Sequence, residues 1–294
     1  MTRQRHKRRA AFDRVSVTPS ASSRAHISTL QLNGHLHGMG FFSLFPLLAV
    51  VSGAPPVVLV TGATGRTGSL LFKLLKNDSR IGAVRGLVRN VTKARAEGIC
   101  VKCDATEGIY VADVTKPETM KEAMSGIDTV AITTAVGGGA SAKVMKSVEF
   151  DGVENQVSVL AQQNQNASAL RAVLCSSMGT TNPNPPPFEG GKVLFWKLNA
   201  EAFLMSSGIG ATVVKPCGLS DDPAGKKALD TLHDDKNPSP LSFSISRGDV
   251  AAVMVEAIAE RVSGLRFGLC SKTFGKPTTD FGALLRTARW PWQK

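Results

Sequence analysis

The chain has 294 residues, of which 43% are hydrophobic and 20% charged, so it can bury the core of one or two globular domains. Half of its formal net charge of +12 lies in residues 1–54, which hold seven of the 35 Lys and Arg residues and one of the 23 acids. Aromatic residues make up only 6% and are not interleaved with basic runs, which argues against a nucleic-acid partner.

Residues 1–54 have the composition of a targeting leader rather than of a folded domain. They are rich in Arg, Ser and Thr and poor in acids, as organellar transit peptides are. The apolar run 41–51 is shorter than the roughly 20 residues that span a bilayer, so we expect no stable membrane span. The run also resembles a signal-peptide region. We predict an unstructured leader over 1–54 that directs the protein to a plastid or another organelle. A secretory route and an unprocessed tail are the alternatives.

A strand, a glycine-rich turn and an amphipathic helix follow one another at the start of the remaining chain. The strand is predicted at 57–61 and the helix at 66–76. The sequence TGATGRTG, residues 61–68, begins at the last residue of the strand and extends into the first turn of the helix. In a dinucleotide fold Gly62 allows the tight turn, Gly65 lets the backbone approach a pyrophosphate, and Gly68 lets the helix pack on the strand. The helix N-terminus then faces the phosphates. The alternative is an ordinary glycine-rich connection without a ligand.

The end of the second predicted strand, 83–88, indicates which dinucleotide is bound. An acid at this point would bind a ribose 2′-hydroxyl, but the chain has Arg89 there. A guanidinium suits a 2′-phosphate, so NADP is favoured over NAD, with Arg66 as a second positive contact. The alternative is that Arg89 is an ordinary solvated residue.

Cys100 and Cys103 form a CxxC sequence in the connection to the third strand. A redox-active pair usually lies at a helix N-terminus, whereas this one precedes a strand. There is no second CxxC and no nearby His, so we expect no metal site. The two interpretations are a redox pair and two small residues in a connection.

The third and fourth predicted strands, 109–113 and 129–134, also end in candidate cofactor contacts. Asp113 could accept a hydrogen bond from an adenine amino group, or it could cap the following turn. Thr133 and Ala135 would lie beneath the ribose, where small residues let the backbone approach.

A predicted helix over 192–207 carries the candidate catalytic lysine. Lys197 lies on the apolar stripe of this helix and should point inward. A buried Lys needs a partner, and Glu201, one turn later, could supply it. The functional interpretation is that Lys197 binds the nicotinamide ribose hydroxyls. The alternative is that Lys197 forms only a structural ion pair with Glu201.

The residue that usually cooperates with such a Lys is absent. Many reductases of this fold place a Tyr four residues before the Lys, where it passes a proton. This chain has Val193 at that position, and its only Tyr is Tyr110, in a predicted strand near the adenosine side. Ser176 and Ser177, at the end of the predicted strand 172–177, could contribute a hydroxyl, and we take Ser177 as the second catalytic candidate.

Alternating strands and helices continue to the end of the chain. The remaining predicted helices are 92–97, 117–125, 143–163, 248–260 and 278–287, and the remaining strands are 211–215 and 266–270. The alternation predicts an α/β fold, a doubly wound parallel sheet of the Rossmann type, as a single domain over 55–294. Two loops, 182–187 and 221–239, follow strands and should border the site.

These segments together resemble the atypical short-chain dehydrogenase/reductases with an NAD(P)-binding Rossmann domain. They are similar in particular to plant-type proteins related to the NADP-binding subunit of the chloroplast import machinery. The resemblance covers almost all of 57–285 and is most specific in SMGTTNP, WK and DFGALL. It departs from the family pattern at Lys215 and Cys217, where an Arg and a small residue are common.

The resemblance implies an NADP site built from the glycine turn and the ends of successive strands. The predicted cofactor contacts are Gly62, Thr64, Gly65, Arg66, Thr67, Gly68, Arg89, Asp113, Val114, Thr133, Ala135, Lys197, Pro216, Gly218 and Leu219, with the backbone of Cys217 among them.

Three functions are compatible with these residues. The first is an NADPH-dependent oxidoreductase. Because it lacks the usual Tyr, we expect its small-molecule electron acceptor to be delocalised, such as a flavin or a quinone. The second is a non-catalytic NADP(H)-binding redox sensor or scaffold with a protein partner, which Val193 favours. The third is an NADP-dependent epimerase or isomerase.

Overall fold

The computed structural model describes residues 54–164, 166–182, 192–236 and 243–293, all of which belong to one compact unit. Its strands are β1 (Val57–Thr61), β2 (Ala83–Val88), β3 (Ile109–Val111), β4 (Thr129–Ile132), β5 (Arg171–Cys175), β6 (Gly210–Pro216), β7 (Gly218–Ser220), β8 (Leu229–Leu232), β9 (Ser244–Ser246) and β10 (Leu265–Ser271). Its α-helices are α1 (Arg66–Lys76), α2 (Val91–Ala96), α3 (Lys121–Met124), α4 (Ala142–Glu149), α5 (Asp151–Gln163), α6 (Lys192–Ser206), α7 (Arg247–Ala259) and α8 (Phe281–Thr287).

Eight strands form one sheet in the order β3-β2-β1-β4-β5-β6-β10-β8. Neighbouring strands are parallel except for β8, which pairs antiparallel with β10. The first six positions follow the 3-2-1-4-5-6 order of the Rossmann fold. The predicted doubly wound parallel sheet is therefore confirmed. The strand order reverses between β1 and β4, which is where such sheets bind ligands.

Apolar helices cover both faces of the sheet. In β1, Val58 and Val60 belong to one core cluster and Leu59 to the other, so the strand is buried on both sides. Helices α1, α7 and α8 pack together on one face, and α3, α5 and α6 contribute to the cluster on the other. The sheet is therefore buried between two helix layers.

The single helix predicted over 143–163 is wrong, because the structure divides it into α4 and α5 at Phe150. Phe150 has φ of −115° and ψ of −68°, outside the helical range, and its ring stacks on Trp196 at 6.0 Å. Gly152 follows, and a Cβ there would lie 3.1 Å from Val114. The ring contact lies at the residue where the two helices meet, and Gly152 allows Val114 to approach the first turn of α5.

Other predicted elements differ mainly in their ends. The third and fifth strands end earlier than expected, at Val111 and Cys175, so Asp113 and Ser177 lie in the loops that follow. The predicted helix 117–125 is a 3₁₀ turn followed by α3.

The polar stretch 221–239, expected to be irregular, contains β8, and this small strand closes one edge of the sheet. β7 and β9 form a separate parallel pair. Most of the predicted loop 182–187 and the predicted leader lie outside the described residues.

Candidate functional site

The glycine turn between β1 and α1 is tightly packed on one side and open on the other. Gly62 has φ of +73°, and its carbonyl oxygen accepts a hydrogen bond from the amide of Gly65 at 2.8 Å. A Cβ on Gly68 would lie 2.2 Å from that oxygen and 2.4 Å from Oγ1 of Thr133. A Cβ on Gly65 would meet the Gly62 oxygen at 3.1 Å, and Gly65 borders a cavity. Gly68 is therefore required by packing, and Gly65 leaves space beside the turn.

This space belongs to a cavity of about 370 Å³, called here the first cavity. It lies at the point where the strand order reverses. The predicted cofactor contacts that line it are Gly62, Thr64, Gly65, Arg66, Thr67, Arg89, Val114, Thr133, Ala135 and Leu219. Among the predicted contacts that the structure describes, Gly68, Asp113, Lys197, Pro216 and Gly218 do not line it.

Three cationic side chains line the first cavity near its glycine turn and at the end of β2. Arg89 follows β2, and the next residue, Asn90, caps α2 by accepting a hydrogen bond from the amide of Lys93 at 2.9 Å. The cap brings Lys93 into the first turn of α2. Arg66 is exposed, with Nη1 3.3 Å from Asp221. Lys93 was not predicted, although an Asn cap with a Lys three residues later is a recognisable pattern.

Asp113 takes part in the local turn rather than in the lining of the cavity. Its Oδ1 accepts hydrogen bonds from the amide and the hydroxyl of Thr115, each at 2.9 Å. Burial raises the pKa of this carboxyl, but these bonds and the charge of Arg89 together lower it below its ordinary value. The capping interpretation describes this geometry, and the neighbouring Val114 borders the cavity instead.

Lys197 points inward as predicted, but its partner is not the one expected from helical spacing. Its Nζ lies 2.7 Å from Oε2 of Glu149, and the two side chains are 12% and 2% exposed. Oε1 of the same carboxylate accepts a hydrogen bond from the amide of Val136 at 2.8 Å. Burial lowers the pKa of Lys197, but the charge and hydrogen bond of Glu149 outweigh it and raise this pKa. The sequence indicated no role for Glu149, because it lies far from Lys197 along the chain.

Glu201, the partner expected for Lys197, pairs with a different cation. It is fully buried and accepts hydrogen bonds from Nε and Nη2 of Arg266 at 2.8 and 2.5 Å. It also accepts from the hydroxyls of Ser176 and, at 3.2 Å, Thr180. The Lys197–Glu201 ion pair, which was the structural alternative for Lys197, is therefore not formed, and Glu201 instead anchors the loop after β5.

A second cavity, of about 640 Å³, adjoins the first. It is lined by Ser176, Ser177, Met178, Gly179, Leu194, Pro216, Cys217, Gly218, Leu219, Asp235, Phe243 and Arg247. Leu219 and Arg247 line both cavities. The hydroxyl of Ser177 donates to the carbonyl of Met178 at 2.9 Å. Most of the predicted residues thus fall into two neighbouring groups that meet at Leu219. Gly68, Asp113 and Lys197 line neither cavity.

One wall of the second cavity contains a buried ion pair. Nζ of Lys215 lies 2.6 Å from Oδ1 of Asp235, and these side chains are 2% and 5% exposed. The amide of Thr181 donates to Oδ2 of Asp235 at 2.7 Å. Burial raises the pKa of Asp235, but Lys215 and Thr181 together lower it below its ordinary value. Burial lowers the pKa of Lys215, and Asp235 offsets only part of this shift.

The five cysteines form two disulfides and leave one thiol. Cys100 is bonded to Cys103, and the nearby Glu107 accepts backbone hydrogen bonds from this loop. The second disulfide joins Cys217, in the lining of the second cavity, to the last strand, β10. Burial is the main cause that raises the pKa of the free Cys175 thiol to about 11.

Among the described residues, the structure contains no helix of the length and apolarity that a membrane crossing requires.

Comparison with known proteins agrees with this geometry. Residues 62–261 match a family described as NAD(P)H-binding. An uncharacterized chloroplastic protein of Arabidopsis thaliana is 35% identical over 254 residues, which cover 80% of this chain and 76% of that protein. Sanguinarine reductase of Eschscholzia californica is 32% identical over 270 residues, which cover 80% of this chain and 96% of that protein.

Solved structures share the fold. A candidate NAD-dependent epimerase/dehydratase from Bacillus halodurans superposes with a TM-score of 0.61 at 24% identity, covering 76% of this chain and 96% of that one. The strand order, the glycine turn and the extent of the family match lead to one assignment. This chain belongs to the NAD(P)H-binding family of Rossmann-fold proteins.

Proposed function

We propose that the chain is an NADPH-dependent oxidoreductase that passes a hydride to a delocalised acceptor such as a flavin or a quinone. The observation that carries the proposal is the common border of the two cavities at Leu219 and Arg247. A dinucleotide lying along the glycine turn would reach this border with its nicotinamide end. An acceptor in the second cavity would then lie against it. The name of sanguinarine reductase, a relative over most of its length, also supports a reductase.

The residues of the first cavity fit NADP(H) in both shape and charge. The space beside Gly65 and the start of α1 suits a pyrophosphate, since amides at a helix N-terminus favour anions. Arg89 and Lys93 suit a 2′-phosphate, because both are cationic and border the same cavity. When bound, NADPH supplies the hydride. Thr133 and Ala135 would contact the ribose, and Pro216, Gly218 and Leu219 would border the nicotinamide.

Neither of the two catalytic candidates is proposed to supply an acid. Lys197 is held charged by Glu149 and is our candidate for the ribose hydroxyls. Ser177 borders the second cavity, but its hydroxyl already donates to a backbone carbonyl. Val193 occupies the position of the usual Tyr. A ketone would need prompt protonation of its alkoxide, whereas a reduced flavin or quinone delocalises the charge and can take its proton from water.

The test is NADPH oxidation across an acceptor panel. We expect turnover with FMN and 1,4-naphthoquinone and little with cyclohexanone. Lys197→Ala should lose at least about tenfold in kcat/KM, because it removes the cation proposed to hold the ribose. Lys143→Ala, an exposed change on α4, should behave like the wild type. Rapid cyclohexanone reduction without flavin or quinone turnover would contradict the proposal.

The second candidate function is a non-catalytic NADP(H)-binding redox sensor or scaffold. Val193 favours it, because the proton-donating hydroxyl is missing. It predicts tight NADPH binding, measured by fluorescence titration, without NADPH consumption by any acceptor in the panel. A protein partner that binds the NADPH and NADP⁺ forms differently would identify it.

We also propose that residues 1–54 are a plastid-targeting leader and that 55–294 form the functional domain. The basic, acid-poor composition and the chloroplastic names of three relatives support this. A fusion of residues 1–54 to a fluorescent protein should enter plastids, and the mature protein should begin near residue 55. Delivery to the secretory pathway, or a diffuse signal with an intact N-terminus, would contradict it.

A further inference from the structure

Arg247 is a buried cation at the border of the two cavities. It is the first residue of α7, whose N-cap Ser246 accepts a hydrogen bond from the amide of Gly248 at 3.1 Å. The cap fixes the first turn of the helix, and therefore the direction in which Arg247 leaves the backbone. Its side chain is only 8% exposed, yet it lines both cavities. A charge in this position would contact whatever occupies the border.

The carboxylate that pairs with Arg247 is shared and largely exposed. Nη1 of Arg247 lies 2.6 Å from Oδ1 of Asp221, and Oδ2 of Asp221 lies 3.3 Å from Arg66. The Asp221 side chain is 67% exposed, so one partly solvated negative charge faces two guanidinium groups. A guanidinium carries five N–H donors, so Arg247 can also donate to a bound molecule.

The second cavity has one other charged group among the described residues that line it. This is Asp235, whose Oδ1 lies 2.6 Å from Nζ of Lys215. Arg247 is therefore the one cation among the described residues that line this cavity.

We propose that Arg247 is a catalytic residue that donates hydrogen bonds to the oxygen of the acceptor that becomes negatively charged during hydride transfer. The inference rests on the proposed function and adds to it the group that takes over from the missing Tyr. With a quinone, the hydride and its electron pair pass from NADPH to the quinone, giving NADP⁺ and a hydroquinone monoanion. Water then protonates the monoanion. Arginine stays protonated, so it stabilises the anion without delivering the proton.

The role predicts a class of acceptor. The acceptor should be flat and largely apolar, because Met178, Leu194 and Phe243 line the cavity, and should carry a carbonyl oxygen near Arg247. The same cation should also bind stable aromatic oxyanions when NADP⁺ is present.

The experiment compares three variants with the wild-type protein. Arg247→Met removes the charge and keeps a side chain of similar length. Arg247→Lys keeps the charge but lacks the planar guanidinium with its several N–H donors. Asp221→Asn removes the carboxylate that pairs with Arg247 and leaves the Arg247 cation in place. Each is assayed for NADPH affinity, for kcat with 1,4-naphthoquinone, and for binding of 4-nitrophenolate to the NADP⁺ complex by its absorbance. Arg247→Lys and Asp221→Asn keep the test open if Arg247→Met does not fold.

We expect Arg247→Met to lose about 100-fold in kcat, as is usual when one oxyanion-stabilising donor is removed. Its nitrophenolate affinity should fall about tenfold, with NADPH affinity within about threefold of the wild type. Arg247→Lys should lose less kcat than Arg247→Met, and Asp221→Asn should keep its nitrophenolate affinity.

Unchanged kcat and nitrophenolate affinity in Arg247→Met and Arg247→Lys would overturn the catalytic role of Arg247 and leave the proposed function standing. Weaker NADPH binding with unchanged kcat would overturn it in favour of a cofactor contact. A wild-type protein that oxidises NADPH with no acceptor would overturn the proposed function, and the catalytic role with it.

Discussion

Glu149 and Lys197 join two helices and a loop of the first cavity through one buried ion pair. Lys197 on α6 contacts one carboxylate oxygen at 2.7 Å, while the amide of Val136 donates to the other at 2.8 Å. Val136 lines the first cavity. The pair therefore connects the orientation of Lys197 to the loop after β4, and its loss should affect stability and the site together.

Glu149→Gln should lower the free energy of unfolding by about 3–5 kcal/mol, because a buried ammonium then lacks its counter-ion. Gln still accepts the hydrogen bond from Val136, so the change isolates the charge. Urea unfolding at neutral pH measures the loss, and Glu122→Gln on the exposed face of α3 is the control. A loss as small as that of the control would contradict the prediction.

The same pair predicts how stability depends on pH. Glu149 raises the pKa of Lys197 above its ordinary value of 10.5, so the folded protein binds this proton more tightly than the unfolded chain. The stabilisation is then complete below the unfolded pKa and is lost as pH rises through the higher folded pKa. The difference between wild type and Glu149→Gln should therefore shrink above about pH 10.5. If the difference in free energy of unfolding between the two proteins grows with pH in that range, the prediction is wrong.

Alanine at two glycines of the turn should separate packing from binding. Gly68→Ala would place a Cβ 2.2 Å from a backbone oxygen and should destabilise the fold by about 1–3 kcal/mol or more. Gly65 has φ of −80° and ψ of 160°, which any residue adopts, so Gly65→Ala should fold. Its methyl group would occupy the pyrophosphate space, and NADPH affinity should fall at least about tenfold. Thermal unfolding measures the stability of both variants, and fluorescence titration measures their NADPH affinity. Equal losses of stability in Gly65→Ala and Gly68→Ala would contradict the prediction.

Arg89→Ala should weaken NADPH binding about 10- to 100-fold and NADH binding less than about threefold, because a hydrogen-bonded charge interaction with the 2′-phosphate is lost. Lys93→Ala should act in the same direction. Arg95→Ala is the control on the same helix, since its guanidinium donates to the carbonyls of Val101 and Lys102 at 2.9 and 3.1 Å instead. Titration with both dinucleotides measures the ratio. Equal weakening for NADPH and NADH would refute a 2′-phosphate contact.

The two disulfides should contribute unequally to stability. Cys217 and Cys270 are separated by 53 positions, whereas Cys100 and Cys103 are separated by 3. Closing the longer loop removes more chain entropy, so Cys217→Ala/Cys270→Ala should lower the free energy of unfolding by about 4 kcal/mol. Cys100→Ala/Cys103→Ala should cost about half as much or less. Urea unfolding of the oxidised proteins measures both, and a larger loss from the shorter loop would contradict this reasoning.

Local patterns predicted the central part of the fold correctly. Residues 57–61 and 66–76 form the expected strand and helix, and the predicted strand 83–88 matches β2. Apolar runs and glycine turns depend on neighbouring residues, so the sequence contains their signal directly. The interruption between α4 and α5 at Phe150 was missed. The Phe150 ring packs there on Trp196 of another helix, and no local pattern in the sequence indicates that contact.

Ion pairs between side chains were predicted less well than helices and strands. The four-residue spacing of Lys197 and Glu201 indicated an ion pair, yet Glu201 binds Arg266 and Lys197 binds Glu149. A buried charge takes the partner that lies closest in the packed core, and that partner need not be a neighbour on its own helix. Spacing along one helix carries no information on where a second helix crosses it.

The sequence by itself determined the parallel α/β architecture, the glycine turn and the absence of a Tyr before Lys197. Each of these depends on periodicity, turn chemistry or residue identity, which are properties of a short stretch of chain. Only the tertiary structure decided that Glu149 holds Lys197 and that Arg247 borders both cavities. These relationships arise where α4 packs on α6 and where α7 begins beside the carboxyl ends of the strands, and such contacts between distant segments are set by packing of the whole core.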